Sequence, residues 1–89
     1  MKVQIVKRDG TPEKYDPQKI ERVVEAAGLN PEEAKILSGK VTNWLVTNKK
    51  EKITSLEIRD QVIKELEAVD EYAANLFKWY QKVKTKNGN

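Results

Sequence analysis

The chain has 89 residues, with 17 Lys and Arg against 14 Asp and Glu, a net charge of +3 and a mean hydropathy of -0.74. A chain this short makes one domain around one modest core, and no apolar run approaches the ~20 residues of a membrane span. It contains no Cys and no His, which removes disulfides, thiolate nucleophiles, imidazole bases and nearly all zinc chemistry and leaves Asp and Glu as metal ligands, a set that suits magnesium.

The N-terminal residues lack the apolar core of a signal peptide, so a cytoplasmic location is expected. Val3, Ile5 and Val6 lead to Asp9-Gly10, a two-residue hairpin signal, because Gly tolerates a positive φ. Short strands are predicted near residues 2–8 and 11–15, with Pro12 suited to an edge strand or a strand start. Asp16-Pro17 then opens a first helix, with Asp as N-cap and Pro in the first turn. Ile20, Val23, Val24 and Ala27 give that helix its apolar stripe, and Gly28 closes it.

Asn30-Pro31-Glu32-Glu33 opens a second helix whose stripe is Ala34, Leu37, Val41, Trp44 and Leu45. The polar stretch from Thr47 to Lys52 reads as a loop, and a further short strand near Lys52 to Thr54 is placed beside the hairpin. Thr54 and Glu57 have capping-box spacing, and Ile53 and Ile58 have hydrophobic-staple spacing, at the start of a third helix. Ile58, Val62, Leu66 and Val69 form its stripe. Asp70 caps a fourth helix with Tyr72, Leu76, Trp79, Tyr80 and Val83 on one side, and residues 85–89 read as a flexible tail. The expected fold is mainly α (α+β): a small four-helix bundle over residues 1–84 with an N-terminal β-hairpin or small three-stranded sheet packed over it.

Chemistry concentrates in two places. Lys7, Arg8 and Lys19 suit phosphates, and Arg adds a bidentate fork; the plain alternative is a solvated hairpin end and helix face. Glu13 and Asp16 suit donors on a base or sugar, although N-capping alone explains Asp16. Ile5, Tyr15 and Ile20 are candidate walls for an adenine, and Ile20 equally fits the core stripe. At the third helix the free N–H groups attract anions. Capping accounts for Thr54 there, which leaves Ser55 and Arg59 as the better ligand candidates.

Other motifs fail. Gly39-Lys40 has Ala34 where a phosphate loop needs Gly, and Val41 where it needs Ser or Thr. Trp79-Tyr80 with Lys78, Lys82 and Lys84 has the composition of a nucleic-acid face, but the aromatic spacing favours a core stripe. A small basic nucleic-acid-binding module stays as the alternative function, weakened by the modest net charge.

The run Val6-Lys7-Arg8-Asp9-Gly10, then Glu13, Tyr15-Asp16 and Lys19-Ile20, resembles the opening of the ATP-cone family. Ile53-Thr54-Ser55-Leu56-Glu57-Ile58-Arg59-Asp60 is similar to the family's second block, and Ala73-Ala74 with Tyr80 and Lys82 to its closing helix. These are regulatory domains of ribonucleotide reductases and of a zinc-ribbon repressor of reductase genes. The resemblance implies a non-catalytic module that binds ATP or dATP, with or without Mg2+, and signals nucleotide status to a partner such as a ribonucleotide reductase, including through a nucleotide-dependent oligomer. By matching position, Lys7, Arg8 and Lys19 are expected at phosphates, Ile5 and Ile20 at the base, Glu13 and Asp16 at base or sugar, and Ser55 and Arg59 at sugar or phosphates. Without Cys the chain is not expected to perform the reductase's thiyl-radical chemistry, and it is expected to be a free-standing module or a piece of something larger.

Overall fold

The computed structural model describes the backbone of residues 3–87 and the side chains of residues 3–79. Three short strands, β1 (Gln4–Val6), β2 (Pro12–Lys14) and β3 (Lys52–Thr54), form one sheet in the order β2-β1-β3. Central β1 pairs antiparallel with β2, placing Ile5 opposite Glu13, and parallel with β3, placing Ile5 beside Ile53. The expected third strand is therefore present. Four helices complete the fold: α1 (Pro17–Ala26), α2 (Pro31–Thr47), α3 (Ser55–Val69) and α4 (Glu71–Asn87).

The hairpin turn differs from the expected two-residue form. Gly10 N donates to Lys7 O at 2.9 Å, and Lys7 N donates to Thr11 O at 2.9 Å. Arg8 and Asp9 are thus the central residues of the turn, and Gly10 follows them with φ +87°, making a three-residue loop. Asp9 Oδ1 stabilises it by accepting from Thr11 N at 3.0 Å and Thr11 Oγ1 at 2.6 Å. The Asp9-Gly10 signal marked the right place, but the positive φ is needed at only one of the two positions.

Every expected helix start is capped by the residue predicted for it. Asp16 accepts from Gln18 N, Asn30 and Thr54 each complete a capping box with Glu33 and Glu57, and Asp70 accepts from Tyr72 N and Ala73 N. α1 ends with Gly28 at φ +117°, where Gly28 N donates to Glu25 O and Leu29 N to Val24 O. This Schellman arrangement satisfies the last carbonyls and turns the buried Leu29 inward.

α1 packs chiefly on α2 and α3 chiefly on α4, with α2 against α3 joining the two pairs. Val24, Leu37, Val41, Leu45 and Leu66 are fully buried at the centre. Burying side chains of this size stabilises by about 1.5–3 kcal/mol each. The face of α4 needs correction. Among the described residues of α4, Ala73, Ala74 and Phe77 are buried, whereas Tyr72 and Trp79 are exposed. The side of α4 that meets the bundle carries two small Ala side chains and Phe77, and Tyr72 and Trp79 stand on the other side. The sequence readings that depend on the side chains of Tyr80, Lys82, Val83 and Lys84 lie outside the described residues, as do positions 88 and 89. α4 itself runs on to Asn87, into the segment expected as a tail.

Candidate functional site

A cleft of about 250 Å³ opens between the hairpin, the first two turns of α1 and the N-terminal half of α3, and Phe77 of α4 reaches its floor. Strand alternation explains the hairpin's share. Ile5 and Lys7 lie on one face of β1, and the pairing of Ile5 with Glu13 brings Glu13 to that same face. Helical spacing explains the rest, since Asp16, Lys19, Ile20 and Val23 share one side of α1, as Ser55, Ile58, Arg59 and Val62 share one side of α3.

Of the nine residues singled out from sequence, eight line this cleft: Ile5, Lys7, Glu13, Asp16, Lys19, Ile20, Ser55 and Arg59. Arg8 does not; it is exposed at the centre of the hairpin turn. Tyr15, considered as a wall but also suited to the core, lines the cleft as well. Val23, Ile58 and Val62, core-stripe residues by their spacing, line it too, as does Phe77. Continuing the helical spacing from Lys19 and from Ser55 points to the first three. No local signal marks Phe77, which arrives by the packing of α4.

Glu13 organises the charged rim. Its Oε1 accepts from Lys19 Nζ at 2.7 Å and its Oε2 lies 3.4 Å from Lys7 Nζ, so one carboxylate holds two ammonium groups from two elements. The hydrogen bond from Lys19, supported by Lys7, keeps the Glu13 carboxyl below the usual carboxylate range even though partial burial opposes it. Asp16 is half occupied by its own cap, and its Oδ2 lies 4.0 Å from Arg22 Nη2.

The inner wall is tied down from the far side. The Tyr15 hydroxyl lies 2.7 Å from Thr42 Oγ1, which donates its own proton to Ser38 O at 2.9 Å. Thr42 therefore accepts, and Tyr15 donates. Burial pushes the Tyr15 phenol above its ordinary pKa, so it stays a donor at neutral pH and anchors the end of the hairpin to α2.

Opposite the lysines, Arg59 Nη2 sits 3.6 Å from Asp60 Oδ1, while Arg59 Nε is buried without a hydrogen-bond partner. A buried unpaired donor costs about 1–3 kcal/mol, more when charged. It fits a cleft that receives an acceptor oxygen from outside the chain. Apolar walls, two lysines at the rim and an unpaired guanidinium nitrogen are the groups that a nucleotide's base, phosphates and sugar call for.

The family model described as the ATP cone domain matches residues 3–84. The chain belongs to the ATP cone domain family. It is thus a nucleotide-binding regulatory module, in a family of regulatory rather than catalytic domains that bind ATP or dATP. The match covers the sheet, all of α1 to α3 and most of this ATP cone's α4. No curated protein matches the chain. Among the described residues, no helix of this ATP cone is long and apolar enough to cross a membrane, and no group of three or more Asp and Glu has the arrangement of a metal site.

Proposed function

We propose that the cleft binds one ATP or dATP and reports its presence to a regulated partner in the cytoplasm, a ribonucleotide reductase or a protein related to one. The observation that carries this reading is the meeting, in one cleft, of two blocks some forty residues apart in sequence, Ile5 to Ile20 and Ser55 to Arg59, with the buried Arg59 Nε unpaired among them. The base lies against Ile5, Ile20 and the apolar walls beside them. Phosphates reach Lys7 and Lys19 at the rim, where solvent solvates the remaining oxygens. Glu13 and Asp16 offer acceptors to base or sugar, and Ser55 and Arg59 offer donors to sugar or phosphate. Arg8 adds positive potential from outside the cleft. A magnesium ion in this scheme travels on the phosphates. The cleft, at about 250 Å³, is slightly below the ~300–1,000 Å³ of enclosed small-molecule sites, which suits a ligand whose charged end stays in water.

The signal follows from the same residues. Nucleotide joins β1, α1 and α3, adding to the Glu13 clamp that ties the hairpin to α1. Drawing these elements together favours one arrangement of the domain over another, which is what a regulatory module transmits.

Hydrogen bonds to charged groups contribute about 1.5–3 kcal/mol each. Three of them, with base burial and after ordering costs, reach about 8 kcal/mol, a micromolar Kd. Titration calorimetry with ATP, dATP and GTP tests this. One site per chain with an adenine preference is expected. No heat with adenine nucleotides at about 1 mM ligand overturns the proposal, and polynucleotide binding that ATP does not displace would support the nucleic-acid alternative instead.

A further inference from the structure

Among the described residues, α2 gives no side chain to the cleft, yet it holds a polar residue inside the core, Ser38, which is 3% exposed. Thr42 follows one turn later and is half-buried. Both hydroxyls meet groups of the N-terminal elements. Ser38 Oγ donates to Lys35 O at 3.0 Å with Glu21 Oε2 of α1 at 3.4 Å, and Thr42 Oγ1 lies 2.7 Å from the Tyr15 hydroxyl. Folding of α2 asks for neither. A Thr that bonds back to the carbonyl four residues before it, as Thr42 does to Ser38 O at 2.9 Å, slightly weakens its own helix. That bond uses the Thr42 proton and leaves its oxygen to accept from Tyr15.

Tyr15 stands at the joint between β2 and α1. Glu13 precedes it by two residues, Asp16 follows it, and Lys19 comes one helical turn later. Its ring lines the cleft, and Tyr15 N donates to Val3 O at 3.0 Å, closing the base of the hairpin. The hydroxyl then crosses 27 residues of sequence to reach α2. We infer that Thr42 is a positioning residue of the nucleotide site: acting through Tyr15, its hydroxyl holds the β2–α1 joint in the geometry in which Glu13, Asp16 and Lys19 meet the ligand. This rests on the cleft binding nucleotide as proposed above. Groups already held in place bind at a smaller ordering cost. With the acceptor removed, the Tyr15 hydroxyl is left unpaired in a largely buried position, and the joint shifts to find it a partner.

Calorimetric titration with ATP of the unaltered chain, Thr42→Val, Thr42→Ser, Tyr15→Phe and the Thr42→Val, Tyr15→Phe double variant reads the effect. Thr42→Val keeps the shape and removes the acceptor, and should weaken ATP about fivefold. Thr42→Ser keeps the hydroxyl and should bind as the unaltered chain does. Tyr15→Phe removes the same hydrogen bond from the other side and should weaken ATP as much, with no further loss in the double variant. Without nucleotide, amide exchange in Thr42→Val should quicken at Tyr15 and Lys19 about fivefold more than at Leu66 in the core. Unchanged ATP affinity in Thr42→Val, no rescue by Thr42→Ser, additive losses in the double variant, or equal quickening at all three amides overturns the inference. Should Thr42→Val fail to fold, Tyr15→Phe against the unaltered chain decides. If the unaltered chain takes no ATP, the nucleotide reading fails and this inference with it; if it binds and Thr42→Val binds equally, only the inference fails.

Discussion

Glu13 is the residue on which the charged rim turns, because its two oxygens hold Lys7 and Lys19 apart from each other and in place. Removing either lysine should weaken ATP about tenfold, the low end for a charged hydrogen bond, since both ammonium groups are half exposed. Arg8→Ala should cost less than either, because Arg8 stands outside the cleft; calorimetry on the three single variants ranks them. The same carboxylate gives a pH dependence. Glu13, Asp9 and Glu57 are all held below the ordinary carboxylate range, by Lys19, by the Thr11 hydroxyl and by the Thr54 backbone N–H respectively. A carboxyl whose folded pKa is depressed adds stability that is present above its unfolded pKa and is lost as pH falls through its folded one. Urea midpoints should therefore be level near neutrality and decline below the ordinary carboxylate range, and Glu13→Gln should flatten part of that decline.

At the scale of elements, helix ends carry most of the local information. α1 and α2 end in the same way, with a left-handed residue after the cap, but α1 uses Gly28 and α2 uses Lys49 at φ +51°. Lys49 N donates to Val46 O and Lys50 N to Leu45 O, repeating the Schellman pattern without a glycine. A side chain in this region costs about 1–2 kcal/mol, offset by ~0.4–1 kcal/mol because Gly frees the unfolded chain. Lys49→Gly should thus raise stability by about 0.5–1 kcal/mol. Gly28→Ala should lower it by about 0.5–1 kcal/mol, backbone strain less the same offset, since an added Cβ there meets no atom within 4 Å. For a domain of this size each 1 kcal/mol moves Tm by about 4–8 °C, so thermal melts of the two variants should shift in opposite directions.

Across the whole molecule, the cleft draws on the sheet and three of the four helices, so ligand and fold are coupled. A ligand at one hundred times its Kd adds about 2.7 kcal/mol to a state that alone binds it, so saturating ATP should raise Tm by roughly 10–20 °C. Leu66→Ala, at the junction of α3 with the core, should cost about 2–5 kcal/mol and lower Tm with and without ATP. The size of the ATP-induced increment should persist in that variant as long as the domain folds.

Caps, turns and periodicity are local physics, and the sequence alone determined them: Asp16, Asn30, Thr54 and Asp70 begin helices because their side chains reach backbone N–H groups two or three residues away. Eight of the nine candidate residues line one cleft, and the sequence offered them as charged or hydroxyl groups that no cap needed, as the cap residue Asp16, and as apolar neighbours, arranged in a pattern shared with a family. What only the tertiary structure decided is which faces meet. Lys7 and Arg8 are neighbours in sequence, yet Lys7 continues the face of Ile5 into the cleft and Arg8 is the first central residue of the turn. Phe77 enters the cleft and Tyr72 leaves the core because α3 accepts the small side of α4, a choice set by close packing between elements distant in the chain.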